Sequence, residues 1–86
     1  MRITFTESAW EEYLTLSQDK RLAKRFSQLL TDIRRGGNTG LGKPEQLSGD
    51  FSSFWSRRID DRHRLVYQID DGTITIIQCY GHYGDH

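Results

Sequence analysis

His63-Arg64-Leu65-Val66-Tyr67-Gln68-Ile69-Asp70-Asp71-Gly72-Thr73-Ile74-Thr75-Ile76-Ile77-Gln78-Cys79-Tyr80 is the stretch that decides the fold. Two runs rich in β-branched and aromatic residues flank Asp70-Asp71-Gly72, a turn sequence in which glycine supplies positive φ. An antiparallel hairpin follows, with strands from His63 to Ile69 and from Thr73 to Tyr80. Successive side chains on a strand point to opposite faces. His63, Leu65, Tyr67 and Ile69 form the more apolar set and are expected to face a core. Arg64, Val66 and Gln68 are expected on the opposite, open face. On the last strand Ile74 and Ile76 share one face, and Thr75, Ile77 and Cys79 the other.

Outward from the hairpin, Ser52 to Ile59 reads as another strand, joined to it by the turn Asp60-Asp61-Arg62. Trp55 and Arg57 lie on one face and Ser56 and Arg58 on the other, so one of the paired arginines should join Arg64 on the open face. Asn38 to Asp50 is a glycine-rich loop holding the only proline, Pro44. Loops of this length inside a small domain are uncommon and often functional. Further upstream, Leu22, Phe26, Leu29, Leu30 and Ile33 recur at helical spacing, between a cap at Asp19 and a stop at Gly36-Gly37. An earlier helix starts at Thr6 or Ser8; Ser8 has Glu11 three residues on, a capping box. Trp10, Tyr13 and Leu14 fall on one face of it, and Trp10 and Phe26 are read as core. Ile3 to Phe5 is a short strand. The order is β-α-α-β-β-β. The expected fold is α+β: one domain over residues 1–86, a helical hairpin packed on one face of a mostly antiparallel, twisted sheet.

The 86 residues give room for one core and one site. With a single cysteine, Cys79, no internal disulfide can form, and the histidines show no zinc-ligand spacing with a cysteine. No metal or other cofactor is therefore expected. A thin core without such staples suggests a protein partner as a source of stability. One cysteine suits a reducing cytoplasm, and no run is apolar enough for a signal peptide or a membrane span. The 12 basic and 12 acidic residues cancel, so bulk charge does not argue for nucleic acid. Their distribution is more informative. Lys20 to Lys43 holds seven basic residues opposed only by Asp32, and Arg57, Arg58, Arg62 and Arg64 form a second group, interleaved with Asp60 and Asp61. Such a side can track phosphates.

Taken singly, Glu45, Arg64, His82 and Tyr83 are ordinary surface or near-terminal residues. As a set they hold what metal-independent phosphodiester cleavage needs. A carboxylate takes a proton from a ribose 2′-hydroxyl, a guanidinium holds the charge that develops at phosphorus, and an imidazole protonates the leaving 5′-oxygen. An aromatic ring can stack on a splayed base.

Trp10, Tyr13, Arg34-Arg35, Gly42-Lys43-Pro44-Glu45-x-Leu47, Phe54-Trp55-Ser56-Arg57-Arg58-Ile59, His63-Arg64-Leu65-Val66-Tyr67 and His82-Tyr83 together resemble the YoeB (Txe) toxins of the RelE superfamily. The resemblance runs from the first strand to Tyr83. It implies a toxin of a type II toxin–antitoxin system, a ribosome-dependent endoribonuclease that cuts mRNA in the A site and halts translation. It implies a YefM-like antitoxin, repression of the operon by the complex at operator DNA, a cytoplasmic setting and a possible homodimer. Carried over by motif, Glu45 matches the general base, His82 the general acid, Arg64 the phosphate-stabilising arginine and Tyr83 the terminal aromatic. Lys43, Arg57, Arg58 and Arg62 are expected to contact RNA. The chain departs from the family pattern in Tyr80-Gly81 before His82, in Ser48 where a lysine is common, and in Gly84-Asp85-His86 after the His-Tyr pair. Two other readings stay open: a ParE-like gyrase poison without a cleavage set, and an inactive homologue that serves only as corepressor.

Overall fold

The computed structural model describes residues 1–81. Strand β1 (Arg2–Phe5) leads into helix α1 (Glu7–Leu16) and helix α2 (Lys20–Gly36). A loop then reaches a two-residue strand β2 (Glu45–Gln46), followed by a 3-10 turn over Gly49–Phe51. Strands β3 (Trp55–Arg58), β4 (Arg64–Asp70) and β5 (Thr73–Gln78) complete a five-stranded sheet of order β1-β5-β4-β3-β2. All neighbours are antiparallel except β1 and β5, which run parallel. The α+β expectation holds, with β2 as an added edge strand. The strand expected from Ser52 to Ile59 is shorter, because the 3-10 turn and Phe54 use the chain before Trp55.

Local chemistry explains the boundaries. The Thr6 hydroxyl accepts the Ala9 N–H and caps α1, so Thr6 rather than Ser8 is the cap. The Asp19 carboxylate accepts the Arg21 and Leu22 N–H groups and caps α2. The β4–β5 turn holds Asp71 and Gly72 at positive φ, the twist a two-residue hairpin needs.

Both helices pack on one face of the sheet. Leu22, Phe26, Leu29 and Ile33 of α2 meet Leu65, Tyr67, Ile74 and Ile76 in one cluster, all buried. Phe26 is core as expected; Trp10 is not, being 47% exposed. The inward stripe of α1 is Ala9, Glu12, Tyr13 and Leu16, at the i, i+3, i+4, i+7 spacing of one helix face. Glu12 belongs to it because one carboxylate oxygen accepts the backbone N–H groups of Cys79 (2.8 Å) and Tyr80 (3.1 Å) where the ladder ends. Trp10 is left at the rim, stacked on Tyr13 with ring centroids 5.5 Å apart.

A second correction concerns Cys79. Val66 pairs with Gln78 while Tyr67 pairs with Ile76, so Ile77 is an extra residue in β5. This bulge resets the alternation. Cys79 turns to the helix face, fully buried, and its thiol approaches the Ala9 carbonyl at 3.6 Å. Burial, reinforced by the charge of Glu12, pushes that thiol up to about 12.

Candidate functional site: the open face of the sheet

Residues paired across neighbouring strands share a face, so the register defines the site. One rung runs Glu45, Ser56, Val66, Gln78 across β2, β3, β4 and β5. The next rung pairs Arg58 with Arg64. Glu45, Arg58 and Arg64 therefore stand on the face opposite the helices, on adjacent rungs. Residues two apart on a strand are about 6.5–7 Å apart.

Glu45 and Arg58 are exposed, and Arg64 is half-buried. Arg64 is steadied from the β3–β4 turn: its Nη1 donates to the Asp60 carbonyl at 2.8 Å and to the His63 carbonyl at 3.2 Å. The turn itself is pinned by Asp60, whose carboxylate accepts the Arg62 and His63 N–H groups. Burial raises the Asp60 carboxyl, but the His63 and Arg62 amides, helped by the Arg21 charge, outweigh it, and the net direction is down. Among the described residues Arg57–Asp32 is the only ion pair. Arg58, Arg62 and Arg64 thus carry their charge without a carboxylate partner in that set, as a phosphate-binding face requires.

His82 and Tyr83 lie outside the described residues. The chain is held up to the residue before them. The Arg64 N–H donates to the Gly81 carbonyl at 2.8 Å, and the Gly81 N–H donates to His63 Nδ1 at 2.8 Å. His63 is buried as the alternation predicts, and its ring stacks on Tyr80 with centroids 4.2 Å apart. The alternation gives its face. Its grip on the chain after β5 is long-range and has no signal in the sequence.

Lys43 is exposed, with φ +52, two residues before Glu45. Arg62 is exposed on the β3–β4 turn. Arg57 is different and corrects the expectation that it contacts RNA. It has no exposed surface. Its side chain lies on the helix face, where Nε donates to the Tyr67 hydroxyl at 3.0 Å and the guanidinium binds the Asp32 carboxylate of α2 and loop carbonyls. The Arg57 hydrogen bond, then the Leu41 N–H, hold the Asp32 carboxyl below the usual carboxylate range. Burial pushes the Tyr67 hydroxyl up, with Arg57 opposing.

This face is open only at its margins: Glu45 and Arg58 are exposed, whereas Ser56, Val66 and Gln78 on the rung between are buried, which corrects the expectation that Val66 lies on an open face. A groove of about 670 Å³ lies elsewhere, on α2 beside Leu41, lined by Lys24, Gln28, Thr31 and Arg35 among others; it includes neither Glu45 nor Arg64. A sheet face bearing one carboxylate and several cations suits a polymeric phosphodiester better than a small enclosed ligand.

Two helices packed on a five-stranded mixed sheet are the fold of the YoeB/RelE-like toxins. Residues 5–83 match the model of the YoeB-like toxin of bacterial type II toxin–antitoxin systems. The Toxin YoeB of Streptomyces coelicolor is 50% identical over 84 residues, covering 96% of this chain and 100% of that protein. In a YoeB–YefM complex from Staphylococcus aureus, the matched chain superposes with a TM-score of 0.89 at 42% identity, over 96% of this chain and 98% of that one. A structure of a YoeB dimer from the same organism gives 0.90 at 44% identity, with the same coverage. The chain belongs to the YoeB family of type II toxin–antitoxin toxins.

Proposed function

We propose that this toxin is a ribosome-dependent endoribonuclease that cleaves mRNA in the A site and so stops translation. The observation that carries the reading is the common face of Glu45, Arg58 and Arg64 on adjacent rungs of the sheet. Glu45 takes the proton of a ribose 2′-hydroxyl. The oxygen attacks the neighbouring phosphorus, and Arg64 stabilises the charge that gathers on the phosphoryl oxygens. His82 gives a proton to the leaving 5′-oxygen, and Tyr83 stacks on a base. The products are a 2′,3′-cyclic phosphate and a free 5′-hydroxyl. Lys43, Arg58 and Arg62 follow the RNA backbone.

A YefM-like antitoxin holds the toxin inactive in the cytoplasm, and the complex represses its own operon at operator DNA. The solved YoeB–YefM complex supports such a partner, and the solved YoeB dimer supports a homodimer. The test is single-turnover cleavage of a defined mRNA on programmed ribosomes, with toxin binding measured separately. Cleavage at one site, lost in Glu45→Ala and Arg64→Ala while binding persists, is the expected result. Growth arrest with DNA damage and intact mRNA would point to a gyrase poison. No arrest would leave only corepression.

A further inference from the structure

The chain must turn back from the end of α2 to the sheet edge at β2, and neither helix nor ladder holds residues 38–43. Arg57 does. Its Nη1 donates to Asp32 and to the Leu41 carbonyl at 3.0 Å, and its Nη2 donates to the Gly37 carbonyl at 2.6 Å and the Thr39 carbonyl at 3.2 Å. Asp32 adds a contact of its own, accepting the Leu41 N–H at 2.9 Å. The grip continues at the next residue, where the Arg58 N–H donates to the Gly42 carbonyl at 2.7 Å. Gly42 sits at φ +81, and a Cβ there would meet the Arg58 carbonyl oxygen and Leu29 Cδ2 at 3.0 Å. Lys43, Pro44 and Glu45 follow directly.

We propose that Arg57 is the positioning residue for Lys43 and Glu45. Its buried guanidinium gathers the loop carbonyls and so fixes where the loop delivers the exposed Lys43 and, on the face opposite the helices, Glu45. The role rests on the reading of Glu45 as general base. It acts through the loop and touches no substrate. A planar fork of five N–H groups can serve acceptors in several directions at once; an ammonium has three donors on a single centre. Asp32 supplies the opposing charge without which a buried cation would be strongly unfavourable.

The test uses the full chain with Arg57→Lys, Asp32→Asn, Glu45→Ala and the double variant Arg57→Lys/Glu45→Ala. Amide hydrogen exchange is followed in residues 38–43 and in β4 and β5. Single-turnover cleavage and ribosome binding are measured in parallel. In Arg57→Lys and Asp32→Asn the loop amides should exchange about tenfold faster or more while β4 and β5 stay protected. Cleavage should slow by about 10–100-fold with ribosome binding retained, as expected for a displaced reacting group. In the Glu45→Ala background Arg57→Lys should cost clearly less than it does in the wild type, since the part of its loss that comes from misplacing Glu45 is already gone and only the part through Lys43 remains. Unchanged loop exchange in both single variants would overturn the proposal, as would full multiplication of the two losses in the double variant. If Glu45→Ala cleaves at the wild-type rate, the base reading fails, and the exchange result alone decides for or against the anchor.

Discussion

Arg57 and Arg58 are neighbours in the chain and opposites in circumstance. One has no exposed surface and the other faces solvent. Alternation along β3 puts them on different faces, but only the structure shows that the inward one finds acceptors in a loop 16 to 20 residues upstream. On the outward side, Glu45 is exposed, so Glu45→Ala should shift stability by no more than about 0.5 kcal/mol. Its cleavage rate should fall by about 10²–10⁴-fold if it is the base. Arg64→Lys should restore only part of the rate lost in Arg64→Ala, because a point charge cannot grip a phosphate through two parallel bonds. Denaturant melts paired with single-turnover rates check all three. Cys79 offers a separate prediction. A buried thiol pushed up to about 12 is almost entirely protonated at pH 8 and should resist iodoacetamide in the folded toxin, then react once urea unfolds it. Fast labelling of the native chain would contradict its placement against Ala9.

Among the elements, α1 shows how a charged residue can mislead a periodicity reading. Trp10, Tyr13 and Leu14 look like the buried face, yet the stripe that packs inward includes Glu12, whose carboxylate closes the end of the β5 ladder. Glu12→Ala leaves two backbone N–H groups without that acceptor and should cost about 1–3 kcal/mol in denaturant unfolding. The hairpin, α2, its Asp19 cap and the face carrying Arg64 were legible because each depends on residues close in sequence. The bulge at Ile77, the β2 edge strand and the inward turn of Cys79 were not, since each depends on pairing between distant segments. The loop after α2 also carries a pH dependence. Asp32 is held below its ordinary value in the folded state, so its contribution is fully present above the unfolded value of about 3.9 and is lost as pH falls through the lower folded value. Asp60 acts with the same sign. Urea midpoints taken from pH 7 to pH 2 should show wild type losing its advantage over Asp32→Asn as the solution is acidified below about pH 4. A constant gap across that range would mean that the Arg57 contact does not discriminate the ionised carboxylate.

For the molecule as a whole, the main energetic expectation concerns the antitoxin. A partner that binds only the folded toxin adds about 2.7 kcal/mol at a free concentration of one hundred times its Kd. Scanning calorimetry at rising YefM-like antitoxin concentration should show the toxin's midpoint climbing; a fixed midpoint would argue against coupling of binding to folding. The sheet order has another consequence. Among the described residues β1 lies at the edge with β5 as its only strand neighbour, and Thr4 bonds Thr75 across 71 residues. As the nascent chain leaves the exit tunnel, its first strand has no place to dock until the last strand has been made. Closing so long a segment is slow compared with helix formation. Synthesis of everything between β1 and β5 thus precedes completion of the sheet, and an antitoxin already present has that interval in which to meet the toxin.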